Sequence, residues 1–158
     1  MFEKIVVCLD GSELAEQILP YAVEQAKRFR SALVLLRVVH EHILVTPSIP
    51  GSIGGPVIIP GMEKQAKKEE QESENYLSTL VERILADYQL QTEYVTLHGA
   101  PGEAILEYAA NNGVGLIAIA THGRSGPGRA ILGSVADFVL RQSRLPILLI
   151  RPNIVKTG

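Results

Sequence analysis

Apolar residues fall into five short blocks along the chain: Ile5–Leu9, Leu33–Val39, Tyr94–Leu97, Leu116–Ala120 and Ile147–Ile150. Most run continuously rather than alternating with polar residues, as in strands covered on both faces. The Tyr94 block is weaker and is placed from about Thr92. The segments between the blocks have helical spacing. Glu13–Phe29 sets Leu14, Ile18, Ala22, Ala26 and Phe29 on one stripe, with Ser12 as its N-cap. Pro20 removes one backbone hydrogen bond from that helix and bends it. Glu63–Tyr88 carries Leu77, Leu80, Val81, Ile84 and Tyr88 inward in its second half. Its first half, from Glu63 to Glu74, has no apolar face and reads as a solvated extension. Gly102–Asn111 and Ser134–Gln142 are shorter helices, and Asn112-Gly113 closes the first of them.

Strands alternating with helices predict a single-domain α/β fold around an open parallel sheet with right-handed crossovers. Residues 1–152 form that domain, and 153–158 are an unstructured tail. Pro47–Gly61 breaks the rhythm: it is rich in Gly and Pro, uncharged, and long for a connector. It predicts a mobile loop over about residues 43–62, acting as a lid or a partner surface, with Val57, Ile58 and Ile59 able to cover a ligand or dock a neighbour.

Composition narrows the choice of partners. The chain has 158 residues, 46% hydrophobic and 20% charged, enough for one domain with a core of its own. Its net charge of −2 supplies no basic field for nucleic acid, and without Trp and with three Phe it has few platforms for stacking bases. Cys8 is the only cysteine, which excludes an internal disulfide and fits a reducing compartment. Its place within Ile5–Leu9 predicts a buried, inert thiol. The N-terminus lacks a signal-peptide layout, and no apolar run approaches the roughly 18 residues needed to cross a bilayer. A cytoplasmic protein with no membrane partner is expected.

The most informative stretch is Gly115–Ser134. An apolar run leads into a loop with glycines at 123, 126 and 128, and Gly133-Ser134 then opens an amphipathic segment. Glycines at a strand end let the backbone approach a ligand. A helix N-terminus offers unpaired N–H groups and a partial positive charge. Together they predict a phosphate site, reinforced by Arg124 and Arg129 in the same loop. Asp10-Gly11-Ser12 follows the first strand as Thr121-His122-Gly123 follows the fourth, and ligands of open parallel sheets sit beyond such strand ends. Asp10 suits a ribose hydroxyl or a divalent cation, with capping of the first helix beside Ser12 as the structural alternative.

Three enzyme motifs are approached and missed. Gly123–Ala130 nearly spells the phosphate loop G-x-x-x-x-G-K-[ST], but Arg129 replaces the lysine and Ala130 removes the magnesium-ligating hydroxyl. Pro127 spoils a G-x-S-x-G nucleophile elbow, and the dinucleotide fingerprint G-x-G-x-x-G is absent. His40, His42, His98 and His122 lack metal-ligand spacing beyond a loose His40-x-His42 pair. His98 reads as a surface or hydrogen-bonded histidine, and His122 as a donor toward a phosphate oxygen. No catalytic constellation is evident, and no metal ligands can be named.

Over roughly residues 2–151 the chain resembles the universal stress protein family. The resemblance is carried by Lys4–Ala15, by the strand ending Leu36-Arg-Val-Val-His40, and by Gly99-Ala-Pro-Gly-Glu-Ala-Ile105. More specific is Ala120-Thr-His-Gly123, nine residues, then Gly133-Ser134-Val135, followed by Val139-Leu-Arg and Pro146–Ile150. The resemblance implies a five-stranded parallel sheet of order 3-2-1-4-5 with helices on both faces. The family's nucleotide-binding branch carries G-x-x-G, nine residues, then G-[ST], and binds ATP. Carried over, Gly123 and the N–H groups of Gly133, Ser134 and Val135 hold phosphates, and Asp10 meets the ribose or metal region. Val39 and the backbone around Leu9 border adenine, while His122 and Arg124 lie near the phosphate path. Ala120 departs from the motif's first glycine and adds a methyl group. The resemblance further implies a homodimer through the last strand, Ile147–Ile150, whose apolar edge is otherwise open.

The expected function is that of an ATP-binding sensor or regulator in the stress response, with Mg2+ accompanying the nucleotide. A slow ATPase or phosphotransferase would need a positioned base, for which the loops offer only Asp10 and His122. A nucleotide-free dimeric interaction module is the third reading, left open by Ala120. Cyclic nucleotides and adenine dinucleotides also remain open, because a phosphate cradle does not identify the base.

Overall fold

A computed structural model describes residues 1–39, 62–121 and 132–153, except for the Met62 side chain. The five apolar blocks are five strands: β1 (Lys4–Leu9), β2 (Ala32–Val39), β3 (Thr92–His98), β4 (Leu116–Ala120) and β5 (Ile147–Ile150). All neighbouring strands are parallel, in the order β3-β2-β1-β4-β5. The three central strands account for the continuous apolar runs. Ile5, Val7, Leu33, Leu35 and Ala118 point to one face, while Val6, Val34, Leu36, Ile117 and Ile119 point to the other, and all are buried.

Each face is covered by its own helices. On the first lie α1 (Glu13–Glu16), α2 (Leu19–Phe29) and α3 (Met62–Tyr88), contributing Ala15, Ile18, Ala22, Ala26, Leu77, Leu80, Val81 and Ile84 to the core. On the second lie α4 (Pro101–Asn111) and α5 (Ser134–Gln142), which bring Ile105, Ala109, Ala136 and Val139. Gly113 follows α4 at φ +66°, a left-handed conformation that Gly adopts without steric cost, and the Asn112 side chain donates to the Tyr108 carbonyl at 2.8 Å.

Two expectations about these helices change. Glu13–Phe29 is two helices rather than one bent helix. Pro20 has no N–H for the Glu16 carbonyl and its ring would collide with it, so α1 closes through bonds to the third residue back, from Gln17 to Leu14 and from Ile18 to Ala15. Tyr88 does not face inward; the residue is 42% exposed and its ring lies beneath the Lys27 ammonium, 4.2 Å from the centroid. One residue of the expected tail is tied to the domain. Asn153 is held by both its N–H (2.7 Å) and its carbonyl (3.0 Å) to the Gln17 amide, whereas 154–158 lie outside the described residues. The expected loop over Pro47–Gly61, with Val57, Ile58 and Ile59, also lies outside them, as do His40 and His42.

The docking of α3 gives a paired prediction. Leu77 is wholly buried, so Leu77→Ala should destabilise the protein by about 2–5 kcal/mol. Tyr88→Ala loses an exposed cation–π contact and should cost less than about 1 kcal/mol. Chemical denaturation of both variants checks the difference; equal costs would contradict this placement of the helix.

Candidate functional site

β1 pairs with β4 from Ile5↔Leu116 to Cys8↔Ile119, and the helices that follow the two strands, α1 and α5, pack on opposite faces. β1 continues into α1 on one side and β4 toward α5 on the other. A cleft of about 610 Å³ opens where they part, a volume in the range of small-molecule sites. Its floor is Cys8, Leu9, Ile119 and Ala120, and one side is the first turn of α5, from Gly133 to Ala136.

The expected site residues converge there. Leu9, Asp10, Val39, Ala120, Gly133, Ser134 and Val135 all line the cleft. The remaining three, His122, Gly123 and Arg124, lie outside the described residues. Ala120 is the last residue of β4, paired with Ile150, and its φ is not in the left-handed region. Ordinary strand geometry therefore accommodates its methyl group without strain. Gly133 caps α5 without a side chain, and its own N–H donates to the Thr121 carbonyl at 2.6 Å. The N–H groups of the first helical turn, at Ser134, Val135 and Ala136, have no acceptor within the helix and carry the positive end of its dipole.

Asp10 takes the capping role, and it also lines the cleft. Its Oδ1 accepts the Ser12 N–H at 3.0 Å and the Ser12 hydroxyl at 2.6 Å, while Ser12 Oγ accepts the Ala15 N–H at 3.1 Å. The carboxylate thus steadies the N-cap of α1 and at the same time lines the cleft. Gly11 between them has φ +84°, which side chains rarely adopt.

Other lining residues were missed in the sequence. Gln65, Lys68, Glu69 and Glu72 of α3 line the cleft, spaced i, i+3, i+4 and i+7. The half of the helix that reads as a solvated extension is therefore a polar wall; its signal was helical spacing of polar residues, which a search for an apolar stripe passes over. Arg37 lines the cleft from the end of β2, beside Tyr76 of α3. Tyr76 donates its hydroxyl to Glu16 at 3.0 Å; burial foremost, then the Glu16 charge, raises its proton affinity. His98, outside the cleft, meets Glu70 at 3.4 Å as an exposed hydrogen-bonded histidine.

Cys8 lies in the floor, and burial pushes its thiol up to about 12. It is inert at neutral pH, as its position in an apolar strand suggested. Among the described residues no group of three or more His, Cys, Asp or Glu side chains is placed to hold a metal ion, and no helix is long and apolar enough to cross a membrane.

The family model for the universal stress protein family matches residues 1–151. The universal stress protein YxiE of Bacillus subtilis (strain 168) is 33% identical over 152 residues, covering 96% of this chain and all of the relative. Universal stress protein UspA from Lactobacillus plantarum superposes with a TM-score of 0.73 at 21% identity, over 94% of this chain and 97% of its own. The universal stress protein from Archaeoglobus fulgidus in complex with dAMP gives 0.64 at 22% identity, over 94% and 97%. At those identities the two structures establish likeness of fold.

The Cys8 environment sets an alkaline limit. The thiol holds its proton more tightly in the folded chain, at about 12 against an ordinary 9.0. Its stabilising contribution is therefore complete below about pH 9 and is lost as the pH rises toward 12. Tyr76 acts in the same direction from 10.0 upward. Cys8→Ala, with Tyr76 intact, should flatten the fall of unfolding free energy across that window, as read by urea titrations at stepped pH. An unchanged slope would contradict burial of the thiol.

Proposed function

The chain belongs to the universal stress protein family, and on that premise we propose that its cleft binds an adenine nucleotide, ATP with Mg2+, as a sensor or regulator in the stress response. The observation that carries this reading is the N-terminus of α5, capped by a residue without a side chain and opening directly on the cleft. Phosphate oxygens are met there by the N–H groups of Ser134 and Val135 and by the helix dipole, and Gly133 leaves room for their approach. Gly123, His122 and Arg124 complete the phosphate path in this reading. Asp10 faces the ribose, and Leu9 and Val39 form apolar borders for the base. An adenine ligand accords with the dAMP held by the Archaeoglobus fulgidus neighbour.

Magnesium fits as a companion of the phosphates rather than as a resident ion. It is commonly held by one or two carboxylates plus phosphate oxygens, and Asp10 is a carboxylate in the cleft. Bound Mg2+ would neutralise phosphate charge beside it.

The reading includes a cytoplasmic homodimer. β5 is an edge strand whose four apolar residues, Ile147–Ile150, are each only partly buried, and edge-to-edge pairing with a second copy would cover them. The dimer predicts twice the mass of one chain in light scattering at micromolar concentration. Leu149→Lys should shift the species toward monomer; a wild-type monomer at all concentrations would contradict it.

For the nucleotide, calorimetric titration should give saturable heat with ATP and magnesium. Gly133→Leu should abolish it while leaving the circular dichroism spectrum unchanged, because the substituted residue is the cap at the α5 N–H groups and not a residue within the helix. No heat with wild type at millimolar nucleotide would overturn the reading.

A further inference from the structure

Arg37 is a half-buried cation with an unusual setting. It faces the cleft from β2, on the side of the sheet covered by α1 and α3. A Cβ built on Gly11 would stand 3.2, 3.3 and 3.4 Å from Cζ, Nη2 and Nη1. Near-equal distances to three coplanar atoms place residue 11 over the flat face of the guanidinium rather than at its edge. The Tyr76 ring lies alongside, 5.5 Å from Cζ to its centroid, within cation–π range. Tyr76 is itself fixed by its bond to Glu16, whose second oxygen lies 3.6 Å from Arg83 Nη2. The plane of Arg37 is thus set by the surrounding structure, while its N–H edge is the part that can bond.

Among the described residues no carboxylate comes within ion-pair distance of that edge. A held guanidinium fork matches the paired oxygens of a phosphate, and pre-setting its plane reduces the ordering needed on binding. Its position relative to α5 sets what it can reach. Arg37 pairs with Leu9 across β1–β2, so Asp10 is the next residue beyond it on the neighbouring strand. The α5 end belongs to the far side of β1, after β4. Strands lie about 4.8 Å apart, so β2 and β4 are separated by about 10 Å. In the adenine-nucleotide reading the α5 end takes the 5′ phosphates and Asp10 faces the ribose, so Arg37, beyond Asp10 from α5 in the strand order, stands nearest the ribose.

Resting on the adenine-nucleotide reading above, we propose that Arg37 is a second anion seat, one that takes a phosphate carried on the 2′ or 3′ position of the ribose. The chemistry has a parallel in dinucleotide-binding sheets, where an acidic residue reads a free ribose hydroxyl and a neighbouring Arg accommodates its phosphate. Here both residue types stand at adjacent strand ends. The ligand class is an adenosine bisphosphate with one phosphate at α5 and one at Arg37. Gly11 serves this arrangement directly, since any side chain there would press on the guanidinium face.

Calorimetric titration of the full chain with AMP, adenosine 2′,5′-bisphosphate and adenosine 3′,5′-bisphosphate tests the proposal. Wild type should bind one bisphosphate at least about tenfold tighter than AMP, the scale of a charge-assisted fork. Arg37→Gln should erase that preference while leaving AMP affinity within about threefold, and Arg37→Lys should restore part of it. Equal affinity of wild type for all three ligands would overturn the proposal while leaving the nucleotide reading intact. Equal weakening of all three by Arg37→Gln would do the same, reducing Arg37 to a support of the β1–α1 turn. Failure of wild type to bind any of them, and ATP with Mg2+ as well, would overturn both readings. The wild-type comparison decides the preference even if a variant does not fold.

Discussion

The pairing of β1 with β4 is the constraint from which the rest of the molecule follows. Four main-chain partners, Ile5 to Cys8 against Leu116 to Ile119, bring together two strands that are more than a hundred residues apart in sequence. The helices that follow them, α1 and α5, cover opposite faces of the sheet and leave a gap at the strand ends. The cleft is therefore a consequence of topology, and its floor consists of the residues that end those strands. Burial on both faces holds the pairing, since each central strand supplies apolar side chains to two separate cores.

Polar groups around the cleft are tied to neighbours that also shape the backbone. Asp10 and Ser12 form the turn that starts α1, and the same carboxylate faces the open volume. Arg37, Tyr76, Glu16 and Arg83 form a chain from the end of β2 through α3 to α1. Among the described residues no fully buried side-chain polar atom lacks a partner. A site supported in this way keeps its geometry before a ligand arrives, which reduces the ordering that binding must impose.

Much of this was legible from the order of residues. The apolar blocks mark all five strands, most continuously the buried β1, β2 and β4, because a central parallel strand has no exposed face on which to place polar residues. The helical stripe from Leu77 to Ile84 was legible for the analogous reason. The family resemblance supplied the strand order and the site residues; spacing by itself left open whether β1 and β4 adjoin. Where reading failed, local pattern met a competing local or tertiary effect. Pro20 divides a stripe that continues in register across the break, and Tyr88 keeps helical spacing with the core yet lies past the end of the surface it would cover.

By itself the sequence determined the five strands and all the helices but the break at Pro20, that Cys8 is buried, and that a glycine-flanked helix start follows the fourth strand. These properties depend on residues close together in the chain. Tertiary structure alone decided that the charged first half of α3 walls the cleft and that Arg37 is held against Gly11 beside Tyr76. Those contacts join residues dozens of positions apart, and a polar side chain carries no local mark of whether the surface it faces is solvent or a site.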